Sequence, residues 1–280
     1  MKFGKTAAYT ILKNESKNIV RWLYYTKMYD YRVLLDTGST DGSWEMLQEA
    51  AAKDPGLIIE QKTFTPWRFD VARVHNLAMV PQDVEWCLSP DMDEWYSINT
   101  LEEMEKIIGA VPDITCIASD RLDIYSSTVR VGPPKLLPTN KIHRRHDYTW
   151  KARVYEHISW IHKGRYEKEL YSEDIFLVHD QDFLKPERNP LYIKLMEEGW
   201  KEDPTDTWNN WFLLYYYYKS QQFDKYLPVA CNYVKYYKKH DENFNFVFGD
   251  LSNILQNMSL SEEHKAMVTE AINEAKFNWA

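Results

Sequence analysis

Short apolar runs alternate with amphipathic segments from residue 7 to about residue 125, the pattern produced when strands and helices take turns around a mostly parallel sheet. The runs at 7–12, 32–35, 57–61 and 85–89 predict four strands, and each ends in polar residues where such a sheet presents its ligand-binding loops. Between them, 18–29, 43–53 and 70–80 carry apolar residues at helical spacing. Thr100 and Glu103 stand as a capping box would, and predict a fourth helix over 100–108. The stretch 114–178 reads as irregular and β-rich, with strand-like runs at 117–118, 152–155 and 175–178 and a break at Gly132-Pro133-Pro134. It is expected to complete the sheet and one wall of a site.

After Pro186 the character changes. Residues 191–200, 207–220, 223–238 and 261–275 read as consecutive helices with short polar breaks. A boundary near Lys185 therefore divides an α/β domain, 1–185, from a helical region, 186–280. The helical pairs look like tetratricopeptide-type hairpins but are too few for a repeat array. The aromatic stretch Trp208, Trp211, Phe212 and Tyr215 to Tyr218 could stack on sugars, yet a helix apolar on most faces is usually buried, and packing onto the first domain is the expectation.

With 280 residues, 44% hydrophobic and 27% charged, the chain can bury a real core in one or two domains. No apolar run reaches the roughly 18 residues needed to cross a bilayer, and no signal-peptide core forms near the start, so no transmembrane segment and a cytoplasmic location are expected. Cys87, Cys116 and Cys231 lie far apart in apolar surroundings and read as small buried side chains. A formal charge of −8 disfavours bulk nucleic-acid binding, which draws on lysine and arginine contacts to phosphate.

Two acidic clusters sit where strands end. Asp36-Thr37-Gly38-Ser39-Thr40-Asp41-Gly42-Ser43 follows one strand and precedes a helix. Asp36 can accept hydrogen bonds from a base or ribose and Asp41 can cap the helix; an ordinary capped turn would look the same. In Asp91-Met92-Asp93-Glu94, carboxylates two apart in a strand or turn point to one side, so Asp91 and Asp93 could hold a hard cation bridged to phosphate oxygens. A solvated loop is the plain alternative. The cationic run His143-Arg144-Arg145-His146 could hold a diphosphate or an anionic acceptor, or lie solvated.

Together the order and spacing of Leu12-Lys13-Asn14-Glu15, Asp36 to Gly42, Phe69-Asp70-Val71-Ala72-Arg73-Val74-His75-Asn76 and Trp86 leading into Asp91-Met92-Asp93-Glu94 resemble a family 2 glycosyltransferase of the GT-A fold. Val154-Tyr155-Glu156 and Val178-His179-Asp180 resemble the branch in which that domain precedes tetratricopeptide-like helices. The resemblance implies a nucleotide-diphosphate sugar donor, UDP-linked, carrying a hexose, with Mn²⁺ or Mg²⁺ and inversion of the anomeric centre. It implies Asp36 on the base, at an N–H of uracil, Asp91 on ribose or metal, Asp93 as principal metal ligand and His179 as a second. Glu15, Asp41, Arg73 and Asn76 would border the nucleotide. His75 departs from the usual Ala-Arg-Asn stretch, so Arg73 either compensates or faces solvent. Glu156 would be the base that takes the acceptor proton, with Glu94 as runner-up, or one half of a salt bridge. The acceptor is left open among glycan, peptide, lipid-linked sugar and modified base. A noncatalytic scaffold of the same fold and a metal-dependent nucleotidyltransferase or phosphohydrolase are the rivals.

Overall fold

The computed structural model describes residues 3–124, 135–180, 189–237 and 242–277. The expected break at Gly132-Pro133-Pro134 and the boundary residues Lys185 and Pro186 lie outside them. The chain separates into two compact units, residues 1–151 with 156–185, and residues 152–155 with 186–280.

The first unit is built on the strands β1 Lys5–Leu12, β2 Tyr31–Asp36, β3 Leu57–Gln61 and β4 Val84–Leu88, which pair in parallel in the spatial order β3-β2-β1-β4. The helices α1 Ser16–Thr26, α2 Ser43–Ala51, α3 Phe69–Met79 and α4 Thr100–Ala110 connect or follow them. Sequence pattern places these eight elements to within a few residues. The capping box does not form: Asn99 occupies the cap position, Thr100 bonds back to the Ser97 carbonyl and Glu103 bonds Lys106. Beyond β4 the sheet continues with β7 Lys135–Arg144, antiparallel to β4 and to β6 Cys116–Ile124, then β10 Glu169–Asp180, parallel to β6, and at the edge β5 Glu94–Tyr96, antiparallel to β10. A two-stranded ribbon, β8 Tyr148–Lys151 and β9 His157–Trp160, stands apart from this sheet.

Strand alternation sorts the core onto two faces. Ala8, Leu34, Trp86 and Leu88 pack with Ile19, Trp22, Leu47 and Met104 from the helices on one side. Ala7, Tyr9, Val33 and Cys87 pack with Leu77 of α3 and Tyr148, Trp150 and Ile158 of the ribbon on the other. Burial on both faces explains why these strands read as unbroken apolar runs. Within the second core, Trp150 donates to the Tyr9 hydroxyl at 2.7 Å, Tyr9 lies 2.9 Å from His143 Nε2, and His143 Nδ1 lies 3.0 Å from the Arg144 carbonyl. A carbonyl can only accept, so the proton sits on Nδ1 and Tyr9 donates to Nε2. Burial pushes His143 down to about 4 and keeps it neutral. The cationic run is therefore divided: His143 is core, Arg144 pairs with Glu85, and Arg145 donates to the Val80 carbonyl.

The expected strand at 152–155 is absent. Ala152 and Tyr155 have φ of 76° and 54°, a left-handed conformation incompatible with extended backbone, and the segment clusters with the helical unit. There Tyr155 stacks on Phe212 at 4.1 Å and its hydroxyl lies 2.6 Å from that of Tyr216. That unit contains α5 Asn189–Glu202, α6 Thr207–Lys219, α7 Phe223–Tyr236, α8 Glu242–Asn257 and α9 Glu262–Phe277. Its core is Leu213, Leu214, Tyr217, Leu227, Tyr233, Val234, Val247, Leu251, Val268 and Ile272. Helix α8 is a helix that the apolar pattern does not announce. Of the aromatic stretch, Tyr217 is buried within the unit, whereas Trp208, Tyr215 and Tyr218 are exposed.

Candidate active site

The carboxyl ends of β1, β2 and β4 open onto one edge of the sheet, where chains of this topology bind ligands. The loops after β1 and β2 are stitched together. Asn14 N–H donates to Ser39 Oγ, Thr40 N–H to Asn14 Oδ1, Glu15 N–H to Ser43 Oγ and Ser16 N–H to Asp41 Oδ2, all at 2.8–3.0 Å. Asp41 also accepts from the Ser43 backbone and hydroxyl. What burial it has opposes its ionisation, but the bonds from Ser43 and Ser16 outweigh that and hold its carboxyl down at about 2. Asp41 is thus a fixed tie between two loops. Glu15 is buried and accepts from the Asn18 amide at 2.6 Å.

Asp36 is fully buried. Its Oδ1 accepts from the backbone N–H groups of Gly38 and Ser39, both at 2.7 Å. The turn needs glycine: Gly38 has φ of +104°, and a Cβ there would meet Thr63 at 3.0 Å. The other oxygen, Oδ2, is buried and has no hydrogen-bond partner among the described residues. Such an atom is unusual in a folded protein and fits a ligand N–H.

A row of alternating charges crosses the site. Glu94 Oε2 accepts from Lys141 Nζ at 2.7 Å, Lys141 reaches Asp91 Oδ2 at 2.9 Å, Asp91 Oδ1 pairs with Arg73 Nη2, and Arg73 Nε donates to Glu156 Oε1 at 3.1 Å. Both oxygens of Asp91 are thereby used. Burial would raise the Asp91 carboxyl, but Arg73 and Lys141 outweigh it and hold it far below the usual carboxylate range. Arg73 does not face solvent: it is buried, 4.8 Å from the Trp150 ring centre, and donates to Thr10. Register explains Lys141, which lies opposite Ser89 at the end of β4 and so next to the acidic turn. Glu94 is buried to 2% side-chain exposure, whereas Glu156 keeps 13% and its Oε2 makes no hydrogen bond among the described residues. Asn76 lies in the core, where its amide faces the Val33 carbonyl of β2 at 3.4 Å.

Asp93 and His179 come together at the opposite end. Asp93 Oδ2 is 3.8 Å from His179 Nε2, and His179 Nδ1 is 3.0 Å from Asp123 Oδ1. Burial lowers the His179 pKa, but Asp93, Glu94 and Asp123 together raise it above its ordinary value. The three strands β5, β10 and β6 set this up, since His179 pairs in register with Glu94 on one side and Asp123 on the other. Among the described residues no group of three or more His, Cys, Asp or Glu is arranged to hold a metal ion. Asp93 and His179 nevertheless form a mixed oxygen and nitrogen donor pair whose remaining positions a diphosphate and water could fill. That chemistry suits Mn²⁺ better than Mg²⁺, because imidazole favours transition ions. Lys141 and Asp123, both central here, belong to no motif and become visible only through strand register.

The fold has relatives among solved structures. A structure of S. aureus TarS residues 1–349 in complex with UDP-GlcNAc matches with a TM-score of 0.54 at 12% identity, covering 98% of this chain and 91% of that one. A second structure of S. aureus TarS 1–349 matches at 0.53, again with 12% identity and the same coverage. A mannosyltransferase, PcManGT from Pyrobaculum calidifontis, in complex with GDP-Man and Mn²⁺, matches at 0.47 with 13% identity, covering 98% and 86%. No curated protein matches the sequence. Residues 11–168, more than half of the chain, match the family described as glycosyl transferase family 2. With the parallel sheet, the stitched loops and the acidic edge they carry, the chain belongs to glycosyl transferase family 2.

Proposed function

We propose that this glycosyltransferase moves a hexose from a nucleotide-diphosphate donor, UDP-linked, to an acceptor hydroxyl, with a divalent cation and with inversion. The observation that carries the donor site is Asp36, whose orphaned and buried Oδ2 would accept the N–H of a uracil ring. The UDP-GlcNAc in the TarS complex makes UDP the first nucleotide to test. Glu15 and Asp41 shape the pocket by fixing the loops around it. Asp93 and His179 would hold the cation, which when bound neutralises the diphosphate as it leaves. Asp91 is held in place by Arg73 and Lys141, which suits a hydrogen bond to ribose better than direct ligation.

Inverting displacement needs a carboxylate to take the acceptor proton as its oxygen attacks the anomeric carbon. Glu156 serves that role: Arg73 pins one oxygen and leaves the other open, while Glu94 is deeper and bonded to Lys141. Asn76, held in the core, supports α3 on β2 rather than the nucleotide.

Thermal unfolding against a panel of nucleoside diphosphates, with and without Mn²⁺, tests the donor site. A ligand bound only by the native state stabilises it by about 2.7 kcal/mol at a hundredfold excess over Kd. UDP with Mn²⁺ should raise the midpoint of the wild type and leave Asp36→Ala unmoved. Equal shifts in both proteins would remove Asp36 from the site, and no shift with any nucleotide would favour a noncatalytic scaffold.

A further inference from the structure

The geometry points to Asp123 as the positioning residue that presents His179 to a metal ion, an inference that rests on the metal reading proposed above. Asp123 lies on β6, is almost fully buried, and is the direct register partner of His179 in the parallel pairing of β6 with β10. Its Oδ1 lies 3.0 Å from His179 Nδ1. The same oxygen accepts from Arg121 Nε at 3.0 Å, two residues earlier on the same face of β6.

An imidazole can coordinate only through a nitrogen that carries no proton. A carboxylate beside Nδ1 keeps the proton there and leaves the Nε2 lone pair for the ion, and Nε2 is the atom that faces Asp93 at 3.8 Å. Without Asp123, the proton could settle on Nε2 and the ring could turn about its χ angles. Arg121 donates to the same buried carboxylate oxygen and so holds Asp123 in place beside the ring. Asp93 arrives from the adjacent strand edge, where the Asp180 N–H donates to the Asp93 carbonyl at 2.8 Å. Two donors thus come from the turn that leads into β5 and from β10, and each has its own anchor. Sequence offers no hint of the pairing, because Asp123 sits 56 residues from His179.

The test is Mn²⁺ binding, read from the electron paramagnetic resonance signal of the unbound ion, alone and with UDP, for wild type, His179→Ala, Asp123→Asn and Asp123→Leu. Loss of an orienting partner to a metal-bound histidine typically costs about 10- to 100-fold in metal affinity. His179→Ala and Asp123→Leu should both weaken binding by that range. Asp123→Asn, whose amide oxygen still accepts from Nδ1, should recover part of the loss, a gradation that general damage to the fold would not produce. Melting of the metal-free variants identifies any that fail to fold, and Asp123→Asn then decides alone. If His179→Ala is weakened while both Asp123 variants bind like wild type, the proposal fails and the metal reading stands. If His179→Ala itself binds like wild type, or wild type binds no Mn²⁺, the metal reading falls and this inference with it.

Discussion

Arg73 is the residue around which the chemistry of the edge is arranged. Its buried guanidinium pairs with Asp91 and with Glu156, so one cation sets the position of two carboxylates that sequence reading treats separately. Removing one partner of such a buried set leaves an uncompensated charge, at a cost of roughly 3–5 kcal/mol. Glu156 should be probed by the mildest change. Glu156→Gln keeps the shape and an oxygen for Arg73 while removing the basicity, so the rate of donor hydrolysis should fall about 10²- to 10⁴-fold with nucleotide affinity nearly unchanged. Turnover within twofold of wild type would move the base to Glu94. Asp36, Asp91 and Asp93 can be picked out from sequence because each follows an apolar run. Lys141 and Asp123 cannot, since a lysine or aspartate in an irregular strand carries no signal until its register partner is known.

Among the elements, the strands β1 to β4 are legible because burial on both faces makes them continuous apolar runs, and α1, α2 and α4 because their apolar residues share the buried face. Two segments defeat the same logic. Helix α8, ENFNFVFGDLSNILQN, alternates phenylalanine with polar residues over its first turns, which is a strand's period, and carries a glycine in its middle. Residues 152–155 look strand-like because they are short and apolar-rich, but Ala152 and Tyr155 are left-handed, a conformation that extended backbone does not adopt. The junction of β1, β7 and β8 supplies an element-level prediction. His143 joins Tyr9 and the Arg144 carbonyl there as a neutral ring. Its pKa in the folded protein is about 4, below the unfolded value of roughly 6.5, so only the unfolded chain takes a proton between the two. Stability is then full above about pH 6.5 and is lost as pH falls toward 4, by up to roughly 3 kcal/mol. Urea unfolding at pH 7 and pH 5 should show this loss in wild type and a flatter dependence in His143→Gln. An equally steep loss in the variant would assign the acid sensitivity to other groups.

At the scale of the whole molecule, net charge sets how the donor arrives. The chain carries −8, and around the proposed cation site Asp91, Asp93, Glu94, Asp123 and Glu156 outnumber Arg73, Lys141 and Arg121. A nucleoside diphosphate is itself an anion. Without a cation, its approach meets repulsion from both the global and the local field, and only the pairing at Asp36 and the loop backbone favours binding. Screening should therefore help: raising ionic strength from about 10 mM to 150 mM shortens the Debye length from about 30 Å to 8 Å. Metal-free UDP should bind weakly, and more tightly at the higher salt. With Mn²⁺ on Asp93 and His179 the local excess of negative charge is cancelled, and added salt should leave affinity unchanged or weaken it. Calorimetric titrations of UDP at both salts, with Mn²⁺ and with a chelator, give the four affinities needed. Metal-free binding that weakens with salt would mean that Arg73 and Lys141 present a net positive field to the phosphates, and the diphosphate would then sit on those cations rather than on a metal held by Asp93.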